Sequence, residues 1–437
     1  MSIPRLRFFR SLFALVILFG ALSTTRPSAA QDQVTLKYTS WMSKGEDKPT
    51  LAAFMKKYPN IKVEDAILDG LNYDQVLKPR MISGDAPDVF LFQPTQYASY
   101  VKEGWLLDVT DEQGTVAMKA LPSLAGWYTV GGKIYGALVN GGQSDQPFYY
   151  NKKYFAKLGI KPPTTLDELW ADADKIKADG KDPFVFGGKD GWPIEFIFNR
   201  GYTATYTRTK WGNNNPYLKL FSGDLKVADI VGPSLQLWET MVKKGYVGTA
   251  SQTITYDQSV QYFVDGKAAI LPQGPWVPGL DPIKKADPAM FELGVFAFPY
   301  DKTDGKIAVE GLPDRSIAIS ANTKHPAEAK LLYNFFLDKA SLQPYLETQS
   351  LLTLTPGIDP KVDPALTDFV KAHGDPAQYT VYIGYGDDST INVPPAWSVE
   401  VTNAYVNILS GSSAADEITR LEGVWAKLKG QITVAKK

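Results

Sequence analysis

Four tryptophans stand in segments rich in glycine and proline, outside any periodic apolar pattern that would bury them. They are Trp41 after VTLKYTS, Trp192 in KDGWPIEF, Trp276 in PQGPWVPG and Trp397 in NVPPAWSV. A tryptophan on a constrained loop offers a flat apolar face at little cost in ordering, and the CH-rich face of a pyranose is a flat surface of matching size. These rings therefore indicate stacking on a sugar, although each ring could instead fill the core of its own domain.

Polar side chains that could bind sugar hydroxyls stand in the same segments. Carboxylates and amides serve neutral sugars as acceptors and donors of hydrogen bonds. The candidates from this set are Asp88, Gln93, Gln143, Asp145, Glu195, Asp314 and Arg315. Asp88 could equally organise a turn before a strand, and Asp314 with Arg315 could be a simple surface ion pair.

The sequence offers little that would support catalysis. His325 and His373 are the only histidines, and the patterns G-x-S-x-G, H-E-x-x-H and the P-loop are all missing. We therefore expect no metal site, no cofactor and no enzymatic activity. A pair of carboxylates that hydrolyses glycosides leaves no sequence signature, so an exported glycoside hydrolase remains the alternative.

Strand-like and helix-like segments alternate and must position these side chains. VTLKYTSW and IKVEDAI read as strands around the amphipathic KPTLAAFMKKYPN, and Thr165 with Glu168 forms a capping-box pattern that opens a helix closing at Gly180. Repeated units of this kind predict an α/β fold with mainly parallel sheets covered by helices. Such sheets bind ligands at the carboxyl ends of their strands, and Asp314 and Arg315 stand at the start of an apolar strand.

The first thirty residues have the features of a secretory signal. A basic start precedes the apolar SLFALVILFGAL and the small residues that lead to Ala30, where we expect cleavage. The apolar run is about a dozen residues, whereas a bilayer span needs roughly 20. With no cysteine in the chain, disulfides and lipid attachment to a thiol are excluded. We therefore expect a soluble protein of the bacterial periplasm.

Charge and length exclude some partners and bound the architecture. Without the four arginines of the signal, 42 basic residues face 47 acidic ones, and no basic run occurs. Nucleic acid is therefore not an expected partner. About 400 mature residues exceed the size at which a single core stops growing, so two lobes are expected.

The order of motifs along the chain resembles one known family. After the signal come GDAPDVF, IYGALV, FYYNKKYFAKLGI, FVDGKAAILPQGPW, SIAIS and VPPAWSVEVTNAYVNILSG. In this order the chain resembles extracellular solute-binding protein family 1, the sugar-binding receptors of ABC importers, similar to maltose-type binding proteins. The resemblance covers essentially the whole mature chain.

The resemblance implies a type II periplasmic binding fold, with two α/β lobes joined by hinge crossings. A carbohydrate or other small solute would bind in the cleft of a monomer, and closure would present both lobes to the membrane permease. The implied division is a signal peptide at 1–30, one lobe from 31–142 plus 302–348, and the other from 143–301 plus 349–437. Trp41, Gln143 to Asp145, Trp192, Trp276 and Trp397 fall where family members contact sugar, and Gly274 would let the backbone approach the ligand.

Two departures from the family pattern leave the identity of the ligand open. This chain reads YGALVNGGQ where relatives often have a proline, and EGLPDRS where relatives often have a glycine-rich stretch. Both lie at the expected cleft. Because a guanidinium can pair two oxygens at once, Arg315 could favour an acidic sugar or a sugar phosphate over a neutral sugar, and a polyamine is a further alternative.

Overall fold

A computed structural model describes residues 33–42, 45–68, 73–143, 147–203, 206, 210, 216–299, 311–372 and 391–434. The predicted signal peptide, Asp145 and His373 lie outside the described residues, and the side chain of Gln143 is not described. Within these ranges, no helix is long and apolar enough to cross a bilayer.

The elements alternate as the sequence predicts. The strands are β1 Val34–Ser40, β2 Ile61–Ile67, β3 Val89–Phe92, β4 Thr129–Val130, β5 Lys133–Ile134, β6 Ala137–Gln143, β7 Pro147–Asn151, β8 Asp182–Phe184, β9 Ala268–Pro272, β10 Leu293–Ala297, β11 Gly311–Ile319, β12 Ile391–Asn392 and β13 Thr433–Val434. The α-helices up to the middle of the chain are α1 Lys48–Lys57, α2 Tyr73–Ser83, α3 Tyr97–Lys102, α4 Gln113–Lys119, α5 Pro122–Tyr128, α6 Lys152–Leu158, α7 Leu166–Ala178 and α8 Trp192–Glu195. Those that follow are α9 Pro216–Ser222, α10 Val227–Ile230, α11 Gly232–Lys243, α12 Tyr256–Val264, α13 Asp281–Lys284, α14 Pro326–Leu337, α15 Lys339–Gln349, α16 Pro364–Ala372, α17 Pro395–Leu409 and α18 Ala414–Leu428. A π-helix, Phe196–Thr203, continues α8, and short 3₁₀ turns occupy Pro94–Gln96, Thr249–Gln252, Val277–Gly279 and Lys429–Gln431.

The first large sheet has the strand order β2-β1-β3-β11-β6. β1 runs parallel to β2 and to β3, with Tyr38 opposite Val89. β11 runs antiparallel to both of its neighbours, which places Ser316 opposite Phe92 and Arg315 opposite Asn140. All four residues of β3 are buried because helices and neighbouring elements cover both faces of the sheet.

The second large sheet has the order β10-β7-β9-β8. β8 and β9 are parallel, whereas β7 is antiparallel to both β9 and β10. Each large sheet thus contains one strand of opposite direction, β11 in the first and β7 in the second. The architecture is the α/β fold that the sequence predicts, but the two large sheets are mixed and not mainly parallel, since three of their strand pairings are parallel and four are antiparallel.

Each large sheet has its own hydrophobic core. The core of the first sheet includes Leu36, Phe90 and Ile317, and the helix α14 packs on this sheet. The second sheet is buried on both faces, since Phe148 and Ile270 belong to one cluster and Tyr149 and Leu271 to another. The core of the first sheet is thus a different cluster from the two that cover the second sheet.

Local signals place several elements correctly. Thr165 caps α7, and its Oγ1 accepts a hydrogen bond from the Glu168 N–H at 3.2 Å. The Glu168 carboxylate accepts from Thr164 N at 2.7 Å, so the reciprocal half of the capping box is shifted by one residue. Pro79 lies within α2, a helix that the chain forms in spite of it.

Candidate functional site

The carboxyl ends of the parallel strands define one edge of the first sheet. Trp41 directly follows β1 and Gln93 directly follows β3, while Asn140 lies near the end of β6. Arg315 enters this edge from the antiparallel β11, opposite Asn140. Residues distant in sequence thus meet where α/β sheets bind ligands.

The corresponding edge of the second sheet carries the tryptophan loop. β9 ends at Pro272 and is followed by Gln273, Gly274 and Trp276. The chain beyond β8 leads to Trp192 at the start of α8. Because the chain leaves the first edge at the end of β6 and enters the second at the start of β7, the two edges adjoin.

The loop after Trp276 contacts α15, a helix that packs in the core of the first sheet. Trp276 is partly exposed and packs against the core clusters of both large sheets. A Cβ atom at Gly279 would lie 2.0 Å from the backbone oxygen of Gln349, so only glycine fits this approach. Nearby, Lys284 Nζ donates to the Thr348 carbonyl at 2.9 Å. Trp276 therefore lies at the junction of the two sheets.

The indole of Trp276 is held in one orientation. Its Nε1 donates to the Tyr256 hydroxyl at 2.8 Å, and its ring centroid lies 5.2 Å from Phe196 and 6.2 Å from Trp192. A Cβ at Gly274 would lie 2.1 Å from a carbon of the same ring, and the Gly274 carbonyl accepts from Tyr149 OH at 3.0 Å. The loop thus presents a fixed aromatic surface.

Trp192 and Glu195 lie at the junction of α8 with the π-helix. The Trp192 ring packs 5.0 Å from Tyr256, so it extends the surface formed by Trp276. Glu195 is only 1% exposed and accepts a hydrogen bond from Asn199 Nδ2 at 2.8 Å. Trp192 is therefore part of the aromatic surface. Glu195 is instead buried, and its hydrogen bond with Asn199 stabilises the junction of α8 and the π-helix. π-Helical segments frequently occur at functional sites.

The first sheet contributes a second aromatic group. Trp41 is partly exposed and meets Tyr73 of α2 edge to face, with ring centroids 5.1 Å apart. Tyr73 is itself fixed, because its hydroxyl donates to the Leu91 carbonyl in β3. Trp41 is therefore braced at the same edge as Gln93.

A buried ionic cluster lies behind this edge. Tyr38 and Tyr345 donate to the two carboxylate oxygens of Asp47 at 2.9 and 3.0 Å. Arg315 Nη1 donates to the Tyr345 hydroxyl at 3.0 Å and to Gln349 Oε1 at 2.7 Å. A charge removed from water needs such partners.

Burial and nearby charges shift the pKa values of Asp47 and Arg315 in opposite directions. Burial raises the pKa of Asp47, although hydrogen bonds from Ser40, Tyr38 and Tyr345 and the charge of Arg315 lower it in part. Burial tends to lower the pKa of Arg315, but Tyr345, Asp314 and Asp47 raise it to a net value above the ordinary range. Arg315 therefore stays charged.

Asp88 occupies the opposite end of the first sheet. Its carboxylate accepts from Lys37 N at 2.8 Å and from Thr323 Oγ1 at 2.5 Å, and it precedes β3. The two carboxylate oxygens thus link the start of β3 to β1 and to the segment after β11. The structural alternative, a carboxylate that organises the start of a strand, therefore fits Asp88, and we leave it out of the candidate site.

Trp397 is a core residue. It is 3% exposed, its Nε1 donates to Tyr217 OH at 3.2 Å, and its ring packs 5.1 Å from Trp425. The flanking prolines mark the start of α17, not a loop at the cleft. The sequence-based expectation of a ligand contact at Trp397 is replaced by a packing role in the core of the second sheet.

A conservative substitution tests that packing role. Trp397→Phe keeps an aromatic ring but removes the hydrogen bond to Tyr217 and part of the volume. We expect a loss of about 2 kcal/mol in the free energy of unfolding, measured by urea denaturation. Ligand affinity of the folded variant should match the wild type. A large loss of affinity with unchanged stability would return Trp397 to the site.

Sequence reasoning missed several residues that the structure brings to the junction. Tyr256 opens α12 behind the cap of Thr255, and Phe196 lies in the π-helix. Asp47 and Tyr345 join across 298 positions of the chain. No local pattern marks such a pairing, although the Thr255 capping box marks the position of Tyr256.

Comparison with known proteins now gives the family. The family model described as bacterial extracellular solute-binding protein matches residues 38–342. The chain belongs to this family. The resemblance inferred from the order of motifs is thereby confirmed.

Individual relatives of this extracellular solute-binding protein match it over different shares of the chain. The multiple sugar-binding protein of Streptococcus mutans is 29% identical over 353 residues, which cover 78% of this chain and 80% of that protein. A sugar transporter from Bacillus licheniformis, solved with stachyose, has a TM-score of 0.72 at 20% identity and covers 90% of this chain and 100% of its own. The sn-glycerol-3-phosphate-binding periplasmic protein of Yersinia pestis is 31% identical over 193 residues, or 41% of this chain and 39% of that protein.

Proposed function

We propose that this solute-binding protein is the receptor of an ABC sugar importer and holds a mono- or oligosaccharide between its lobes. The observation that carries the proposal is the rigid, partly exposed indole of Trp276 at the junction of the two cores. An aromatic face fixed before binding loses little entropy when a pyranose ring stacks on it. Trp192 widens that surface, and Trp41 supplies a further partly exposed ring at the edge of the first sheet.

The relatives support a sugar as the solute. One is named a multiple sugar-binding protein, and another was solved with stachyose. Both are binding proteins or transport components by name. We therefore propose that this chain binds its ligand without chemical turnover and hands it to a membrane permease.

Two lobes that move about a hinge would supply the mechanism. We propose lobes at 31–142 plus 302–348 and at 143–301 plus 349–437. The packing of Leu351 and Ile358 in the core of the first sheet, and of α16 on β10, supports extending the first lobe from 348 to Ile358. A ligand that contacts both lobes only in the closed state shifts the equilibrium toward closure.

The cellular setting follows from the signal-like start of the chain. We propose that residues 1–30 are cleaved and that the mature protein acts as a monomer in the periplasm. A cysteine-free chain suits that compartment, because its stability then depends on the two buried cores and not on disulfides.

A thermal unfolding screen tests the proposal. The mature chain from Gln31 is unfolded, refolded to remove bound ligand, and heated with mono- and oligosaccharides, polyols, sugar acids and polyamines. A ligand at about 100 times its Kd adds about 2.7 kcal/mol of stability, which predicts an increase of roughly 3 °C in Tm for a protein of this size. A response to polyamines alone, with no response to any sugar, would contradict the proposed function.

A further inference from the structure

Three buried polar atoms at the facing edges lack hydrogen bonds. Asn140 is 3% exposed, and Arg315 is 8% exposed, yet Asn140 Oδ1 and Arg315 Nε have no hydrogen-bond partner among the described residues. Across the junction Gln273, 1% exposed, has an unpartnered Nε2 within the same described part of the chain. Buried polar groups in proteins almost always have partners, so such atoms at a binding edge indicate where a ligand bonds.

Asn140 and Arg315 form one unit through a shared carboxylate. Asn140 Nδ2 donates to Asp314 Oδ2 at 3.1 Å, and Arg315 Nε lies 3.4 Å from the same oxygen as an ion pair. The two side chains come from adjacent strands, β6 and β11, at opposed positions. We call these three residues the polar subsite.

The charge of Arg315 is already balanced within the protein. Asp314 lies against Nε, and Asp47 lies beyond the Tyr345 hydroxyl that Nη1 contacts. Lys284 is occupied at the Thr348 carbonyl. The guanidinium is thus balanced by two nearby carboxylates, Asp314 and Asp47, which leaves no positive charge for an anion.

We propose that the polar subsite selects uncharged sugars and rejects acidic sugars and sugar phosphates. This inference rests on the proposed sugar-binding function. A hydroxyl both donates and accepts, so it can donate to Asn140 Oδ1 and accept from Arg315 Nε. An ionised carboxylate or phosphate oxygen only accepts, so it leaves Asn140 Oδ1 unpaired and meets the repulsion of Asp314.

Asp314 is the residue that sets this preference. It orients Asn140, which makes Oδ1 the free atom of that amide, and it neutralises Arg315. Asp314→Asn keeps the size of the side chain and removes the negative charge, which leaves a guanidinium able to pair two oxygens of an anion. Asp85→Asn is a matched control, because Asp85 pairs with Lys37 and Arg80 just before Asp88, at the far end of the same sheet.

Calorimetric titration of the refolded mature protein tests the inference with ligands that differ in charge. The probes are galactose, melibiose and raffinose as neutral sugars, galacturonate and digalacturonate as acids, and galactose 6-phosphate and sn-glycerol 3-phosphate as phosphates. We expect the preferred neutral sugar to bind at least 100-fold more tightly than its charged counterparts. Asp314→Asn should lower the ratio of neutral-sugar affinity to charged-sugar affinity tenfold or more. Asp85→Asn should leave this ratio within about twofold of the wild-type value.

The possible failures can be told apart. A charged probe that binds the wild type as tightly as any neutral sugar overturns the inference and leaves the sugar-receptor function standing. A ratio unchanged by Asp314→Asn overturns the role of Asp314. If neither neutral nor charged sugars bind, while a polyamine stabilises the protein in the thermal screen, the proposed function and this inference both fail.

Discussion

Trp276→Ala is expected to weaken sugar binding about tenfold or more while the protein remains folded at 25 °C. An aromatic contact contributes about 1 kcal/mol beyond the area it buries, and each 1.4 kcal/mol corresponds to about tenfold in Kd. Because the ring is partly exposed at the junction, we expect its removal to lower the affinity for the ligand more than the stability of either core. Calorimetric titration gives the affinity, and urea denaturation gives the stability.

A second variant separates the position of the ring from its presence. Gly274→Ala keeps Trp276 but places a Cβ where the indole now lies, 2.1 Å from a ring carbon, so the ring must move. We expect a loss of affinity close to that of Trp276→Ala. Gly423→Ala in α18 is the matched control, because nothing lies within 4 Å of its new Cβ. Wild-type affinity in both Trp276→Ala and Gly274→Ala would contradict the stacking role.

Arg315→Leu is expected to lower the free energy of unfolding by about 3 kcal/mol at pH 8. Removing one partner of a buried ion pair leaves the other charge uncompensated, and this typically costs about 3–5 kcal/mol. Asp47 would keep its bonds from Tyr38 and Tyr345 but lose the nearby positive charge. Arg315→Lys keeps a charge at the site, so a smaller loss is expected. Urea denaturation measures each variant.

The stability of Arg315→Leu, relative to the wild type, should depend on pH. Burial already raises the pKa of Asp47 in the folded state, and loss of Arg315 removes an influence that lowers it. A folded-state pKa above the unfolded value means that the folded protein binds more protons, so the stability from Asp47 is lost as pH rises through the folded pKa. Arg315→Leu should therefore be less destabilised at pH 5 than at pH 8. Adding Asp47→Asn should remove this difference, and a deficit independent of pH would contradict the account.

The sequence predicted the parts of the fold and site that depend on local pattern. Alternating strand and helix segments gave the α/β class, and proline and glycine around Trp276 indicated a stiff loop after a buried strand. The structure bears out the strand as β9 and the turn that follows it. Arg315 was selected as the start of an apolar strand; the strand in fact begins earlier, at Gly311, and Arg315 lies within it, opposite Asn140 near the end of β6.

Local pattern could not distinguish a loop from the first turn of a helix. Trp397 follows two prolines, which is typical both of loops and of the N-terminal turn of a helix such as α17. Its burial depends on Tyr217 and Trp425, which are far away in sequence. Asp88 was misleading for a related reason, since its partners Lys37, in β1, and Thr323, beyond the end of β11, are far from it in sequence.

The most direct test of the central claim is calorimetric titration of the refolded mature protein with neutral oligosaccharides, followed by chromatography of the recovered sugar. The account predicts saturable binding of one sugar per chain, with the sugar recovered unchanged. Release of shorter sugars would show turnover and favour a glycoside hydrolase. Absence of binding to every neutral mono- and oligosaccharide tested would contradict the claim that Trp276 and its neighbours form a sugar site.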